Sequence, residues 1–187
     1  MIQKIWRARV KDSTHPLNGE IIIENIDKNF LEEQVSIAIK EYDKRGYPHK
    51  GPIENMLGVA AELAFNQFLK EAKLKPGKDY QWNQRKPNYW EEDKDRRPWD
   101  FKLDNGLTFE IGSARPFHTY AVFPIHTKHK RESDYFVQVQ IKRFNCIAKV
   151  YHKGKERWYI FDARSDVPQE ITNPEQVKNA DIGECKI

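Results

Sequence analysis

Cysteine is nearly absent from this chain: its 187 residues include two, Cys146 and Cys185. They lie far apart, without metal-type spacing. This excludes a disulfide-stapled secreted scaffold and makes a reducing cytoplasm the expected location; no four-ligand zinc pattern is present either. Long apolar runs are missing as well. None approaches the about 20 residues that a membrane-spanning helix requires, and the opening MIQKIWRARVK is charged, without the apolar core of a signal peptide. No membrane partner is expected. No phosphate-binding GxxxxGK loop, nucleophile elbow or Cys/His nucleophile pair stands out. A large excess of one charge is also missing. The 32 basic and 28 acidic residues leave a formal net charge of +4, which permits a nucleic-acid partner without demanding one.

Aromatic residues are plentiful. Ten Phe, eight Tyr and five Trp argue against disorder, although only 39% of the residues are hydrophobic and 32% are charged. The length suits a single domain, 1–187, with its core at about 30–141 and a basic hairpin and tail over 142–187. Residues 2–10 and 21–23 read as strands. Asp27 or Asn29 caps a helix over about Phe30 to Arg45, with Leu31, Val35, Ala38, Ile39 and Tyr42 inward. The segment 46–52 breaks it. A second helix runs from Gly58 to Lys73, with Leu57, Ala61, Ala64, Phe65 and Phe68 in one apolar stripe and Glu62 at its flank. Residues 78–98 read as a loop mixing Tyr80, Trp82, Tyr89 and Trp90 with Arg85, Lys86, Arg96 and Arg97. Such a loop either stacks on bases or is pinned to the core by its aromatics, and the second reading is favoured for Trp82 and Trp90. Strands follow at 118–124 and 134–141. A hairpin over Cys146–His152 and Arg157–Phe161 turns around 153–155, and a looser tail has a closing strand at 182–187.

The segment from Pro98 to Gly112 carries the most chemistry. Trp99, Phe101 and Leu103 alternate with Asp100 and Lys102, and Leu107, Phe109 and Ile111 alternate with Thr108 and Glu110. A two-residue Asn-Gly turn would pair Lys102 with Phe109 and mix the faces. A three-residue loop, Asp104-Asn105-Gly106, pairs Phe101 with Phe109 and Asp100 with Glu110, with Gly106 in the left-handed position. The two carboxylates then face each other with Cβ atoms about 5 Å apart. Facing carboxylates repel unless a shared proton, a basic side chain or a divalent cation offsets the charge. Mg2+ binds through one or two carboxylates with waters and substrate phosphates. Taken on its own, the hairpin favours a surface turn with two solvated acids.

The helical Glu62 followed by this two-carboxylate hairpin resembles the PD-(D/E)XK nuclease superfamily, over about residues 54–141. The resemblance implies a restriction-endonuclease-like α/β (α+β) fold, with a central mixed sheet of four to five strands flanked by helices. It implies metal-dependent hydrolysis of DNA phosphodiesters, with Mg2+ as cofactor and Mn2+ as a substitute. Asp100 and Glu110 would bind the metal, aided by the Ile111 carbonyl, and Glu62 would bind it directly or through water. The chain departs from the family pattern at one place: the lysine expected two residues after the hairpin Glu is Gly112. Lys102, Arg115 and Lys70 are candidates to replace it, with Lys102 on the turn side of the carboxylate pair.

Arg115 and the basic run 126–131, with Lys128, Lys130 and Arg131, would contact phosphate, as would Arg96 and Arg97 just before Asp100. A homodimer would suit double-strand cutting. Two rival classes stand beside the nuclease: a catalytically inactive, nuclease-derived DNA-binding module, motivated by Gly112, and a structural or protein-interaction domain with plain surface acids.

Overall fold

Asp27 sets the start of the first helix. Its carboxylate accepts the Phe30 N–H at 3.1 Å, satisfying one of the donors left bare at a helix N-terminus. Helix α1 (Lys28–Arg45) buries Leu31, Val35, Ala38 and Ile39, the expected row at i, i+4, i+7 and i+8. Tyr42 on that side is half-buried, whereas the polar Gln34 and Glu41 are buried. Helix α2 (Pro52–Glu71) begins at Pro52 rather than the expected Gly58. Proline belongs to the breaker reading only inside a helix; in the first turn its missing N–H costs nothing. The helix stops at Glu71 because Lys73 turns left-handed, at φ 64°. The Leu74 N–H then bonds the Leu69 carbonyl, and the Lys73 N–H bonds that of Lys70, a Schellman ending.

The computed structural model describes residues 2–8, 19–23, 27–45, 51–87, 99–115, 133–141, 145–162 and 169–172. The expected strand at 118–124 and closing strand at 182–187 fall outside them. Six strands form a mixed sheet: β1 (Ile2–Ala8), β2 (Gly19–Ile23), β3 (Tyr80–Trp82), β4 (Phe101–Leu103), β5 (Thr108–Ala114) and β6 (Tyr135–Ile141). Their order is β2-β1-β6-β5-β4-β3. Neighbours run antiparallel except β5 and β6, which are parallel. The sheet is larger than the expected four to five strands, partly because β3 lies inside the stretch read as a loop. Three residues of alternation, Tyr-Gln-Trp, are too few to mark a strand against so many charges. Tyr80 and Trp82 are the face that packs inward, and Gln81 is exposed.

Helix α2 lies across this sheet against β5, β6 and β2. Phe65 is the contact point, its ring 5.0 Å from that of Phe101 and 5.3 Å from that of Phe109. Two polar residues one turn apart on α2 meet the two aromatics of β3. Asn66 accepts the Tyr80 hydroxyl at 2.6 Å, and Glu62 accepts the Trp82 indole N–H at 3.2 Å. The spacing explains the match: four helical residues rise about 6 Å, and two strand residues advance about 6.6 Å.

A second, three-stranded sheet is built from β7 (Asn145–His152), β8 (Lys155–Asp162) and β9 (Gln169–Ile171), in that order. The β7–β8 hairpin closes with a two-residue turn, with Lys153 at φ 50° and Gly154 at φ 82°, instead of the expected turn around 153–155. Positive φ at both central positions matches the twist of the strands. β9 lies in the stretch read as loose tail.

Helix α1 seals the free edge of β7 with one row of side chains, again every fourth residue. Glu32 accepts the Lys149 N–H at 2.8 Å, and the Ser36 hydroxyl accepts the Tyr151 N–H at 3.0 Å. An open edge would template pairing with another chain, and covering it removes that hazard. Cys146, Ala148, Val150, Tyr159 and Phe161 join the same apolar cluster as α1 and α2, so the core extends past residue 141. No helix among the described residues is long and apolar enough to cross a membrane.

Candidate functional site

The β4–β5 hairpin has the register that the alternation demands. Phe101 pairs with Phe109 and Lys102 with Thr108, and the Leu103 N–H bonds the Leu107 carbonyl at 2.8 Å. The connecting loop is Asp104-Asn105-Gly106, with Gly106 at φ 91°. Asn105 braces it by accepting the Leu107 N–H through its side chain at 3.1 Å. At the other end the base of β5 is tied to β6. Asp134 accepts both the N–H and the hydroxyl of Thr108 at 2.8 Å. These bonds hold the Asp134 carboxyl below its usual range, with the Thr108 hydroxyl as the largest cause.

Asp100 stands one residue before β4, where the chain leaves the ladder. Its carbonyl turns to β3 and accepts the Asn83 N–H at 2.8 Å, while its own N–H still donates to the Phe109 carbonyl at 2.9 Å. Its carboxylate then accepts the Ile111 N–H at 2.8 Å, filling the place of a ladder carbonyl that the departing strand no longer supplies. Asp100 therefore brackets Glu110, bonding the residue on either side of it. The two acids are 8% and 6% exposed, so they are not the solvated surface pair of the plain hairpin reading. Burying neighbouring carboxylates is costly unless their charge is matched, and both have partners in the fold.

Glu62 is engaged elsewhere. It is 3% exposed; one oxygen accepts the Trp82 indole and the other forms an ion pair with Arg85 at 2.5 Å. Arg85 is itself clamped through its main chain, because Gln34 accepts its N–H at 2.8 Å and donates to its carbonyl at 3.0 Å. The ring of Trp82 stacks on Phe101 at 5.5 Å and lies 5.3 Å from Phe30. Trp82 is pinned to the core, as expected. Strand alternation sends Phe109 toward α2 and Glu110 away from it, whereas Glu62 lies on the α2 side. Among the described residues no three His, Cys, Asp or Glu side chains are grouped to hold a metal ion. The structure thus has Asp100 bracket Glu110 through the backbone and holds Glu62 through Trp82 and Arg85.

The candidates for the missing lysine are also placed. Lys102 lies opposite Thr108, toward the turn, and is half-exposed. Lys70 is exposed in the last turn of α2. Arg115, just past β5, is 9% exposed and donates to Glu54 in the first turn of α2 at 2.8 Å. It ties the end of β5 to the helix. Gly112 pairs with Gln138 of β6. Arg96, Arg97, Lys128, Lys130 and Arg131 lie outside the described residues, as does Trp90. Two residues that shape the site, Arg85 and Gln34, escaped the sequence reading. Arg85 was visible only as one charge among many, and its clamp depends on a helix 51 residues away.

No family model matches this chain, and no curated protein or solved structure is significantly similar to it.

Proposed function

We propose that the chain is a Mg2+-dependent DNA endonuclease with a restriction-endonuclease-like core. One observation carries the reading: Asp100 brackets Glu110 on the hairpin, and both carboxylates are nearly buried. The surrounding order also supports it. A helix precedes an antiparallel meander that carries the two acids, and a later strand joins the meander in parallel. The donor set suits a hard cation, because two carboxylates and the Ile111 carbonyl are all oxygen ligands. Asp100, Glu110 and Ile111 would hold the ion; when bound, it supplies activation of water and stabilisation of the leaving oxygen.

The chain's own groups do the rest. The Ile111 N–H fixes the direction of the Asp100 carboxylate, and the Asp134–Thr108 tie holds the base of the strand that carries Glu110. Glu62, neutralised by Arg85, orders Trp82 beneath the hairpin. Lys102 is the nearest cation by register for the role of the absent motif lysine. Phosphate contacts fall to Arg96, Arg97, Lys128, Lys130 and Arg131, since Arg115 is held by Glu54.

The test is cleavage of supercoiled, linear, single-stranded and branched DNA with Mg2+ and separately with Mn2+. Asp100→Asn and Glu110→Gln run beside the parent. Cleavage that both variants lose is the expected result; cleavage that persists in both sinks the reading. A second reading draws on Gly112 and on the Arg85–Glu62 ion pair, which leaves the helical acid occupied. It is a DNA-binding module without activity, and its signature is salt-sensitive DNA retention with no cleavage under either metal.

A further inference from the structure

The face of the second sheet that carries Tyr151 and Trp158 has no part in the carboxylate site. Tyr151 pairs with Glu156, and Lys149 with Trp158. Directly opposed residues share a face, so Tyr151, Lys149 and Trp158 lie together. Ile147 and Ile160, also paired, continue the same face. The four apolar or aromatic members are half-buried, and Tyr151 also packs against the core. Tyr151 and Trp158 are diagonal neighbours, at a spacing of about 7 Å.

The two rings carry lysines from α1. The Lys28 ammonium lies 5.2 Å from the centre of the Trp158 ring, and that of Lys40 lies 5.1 Å from Tyr151. They end the row whose inner members, Glu32 and Ser36, seal β7. Lys149 on the face and Lys153 and Lys155 at the hairpin tip are exposed. The acids nearby are engaged: Glu156 pairs with Lys149 at 2.8 Å, and Glu32 is bonded to the Lys149 N–H and pairs with Lys28 at 3.7 Å.

We propose that this face binds single-stranded nucleic acid. Adjacent aromatic rings bordered by cations suit bases that stack while the backbone tracks the charges. A base stacked on the open side of such a ring is held more strongly than an ammonium over it. An incoming base therefore displaces Lys28 or Lys40 from the ring, and the freed ammonium meets the phosphate that follows. A duplex keeps its base faces stacked inside and gains only the charge contacts. The site is independent of Asp100 and Glu110.

The experiment is fluorescence anisotropy of labelled oligo(dT) and of a duplex of equal length, in chelator so that cleavage plays no part, across a salt series. The expected result is oligo(dT) bound about tenfold more tightly than duplex, a factor that one good stacking contact supplies. The double variant Lys28→Gln/Lys40→Gln should flatten the salt slope by about 1.4, at about 0.7 per phosphate contact. Tyr151→Leu should weaken binding about tenfold with the slope retained. The lysine variants are surface changes that keep the fold, so the test does not hang on the aromatic one. Equal or tighter duplex binding overturns the proposal, and so does a lysine variant that binds as the parent does. Self-association abolished by Tyr151→Leu, with no nucleic acid bound, also overturns it, because the face then belongs to a second copy of the chain.

Discussion

Replacing Asp100 by Asn and by Ala separates its hydrogen-bonding role from the proposed metal-binding one. Its carboxylate accepts the buried Ile111 N–H at 2.8 Å. Alanine strands that donor, at a cost of about 1–3 kcal/mol. Asparagine keeps an acceptor oxygen of the same shape and removes one of two neighbouring negative charges. In chelator its stability should fall within about 1 kcal/mol of the parent, since the lost charge-assisted bond and the relieved repulsion oppose each other. On the proposed reading, Mg2+ should reverse the order. A ligand at a hundredfold excess over its dissociation constant stabilises the folded chain by about 2.7 kcal/mol. For a chain of this size that raises the midpoint by about 5–10 °C. The parent should show this rise and Asp100→Asn should not. The assay is thermal unfolding of parent, Asn and Ala forms over a Mg2+ titration. An equal Mg2+ shift in the parent and Asp100→Asn would refute a metal role for this carboxylate. If Asn is as costly as Ala, and Mg2+ moves neither parent nor variant, Asp100 is a strand-end cap and nothing more.

Two further outcomes follow from named contacts. Arg85→Met should destabilise by about 3 kcal/mol, because it leaves the buried Glu62 without its cation; Arg85→Met with Glu62→Gln should recover most of that loss in chemical denaturation, and no recovery would show that the ion pair is not the stabilising element. Asp134 has a lowered pKa, so its contribution is present above the ordinary carboxylate range and is lost as the pH falls through the folded value. The stability gap between parent and Asp134→Asn should therefore be widest at about pH 7 and shrink as the pH falls below the ordinary carboxylate range; a gap that stays constant with pH would mean that the Thr108 bonds do not favour the charged form.

The hairpin register was legible because its pattern is local. Phe101, Phe109 and the loop glycine obey alternation and turn chemistry within a dozen residues, and no distant partner is needed to choose the pairing. The inner row of α1 was legible for the same reason. The start of α2 was misread because Pro52 signals a break by residue type, while its effect depends on position within the turn. β3 was hidden because three residues carry too short a period, and its identity is set by β4, to which it pairs about 20 residues later. Glu62 was legible as a flanking acid. Its partners were not, because Arg85 is placed by β3 and by the Gln34 clamp, both of them long-range contacts.

One geometric coincidence governs what the sequence conceals. Twice in this fold, polar side chains one turn apart on a helix meet strand groups two residues apart: Glu62 and Asn66 meet Trp82 and Tyr80, and Glu32 and Ser36 meet the Lys149 and Tyr151 amides. A rise of about 6 Å against about 6.6 Å makes the match possible wherever helix and strand run side by side. On the sequence, each such residue interrupts or borders an apolar stripe and looks like a solvated flank. In the fold it is a connector with a defined partner, buried at Glu62 and Asn66 and half-buried at Glu32 and Ser36. A lone acid beside an apolar helical stripe therefore has two physical readings of equal standing, a catalytic ligand or a helix-to-strand tie. For Glu62 the contacts favour the tie. For Asp100 and Glu110, the burial of both acids and the two bonds by which Asp100 brackets Glu110 are what the metal-site proposal stands on. The Mg2+ crossover between parent and Asp100→Asn is the measurement that divides the two.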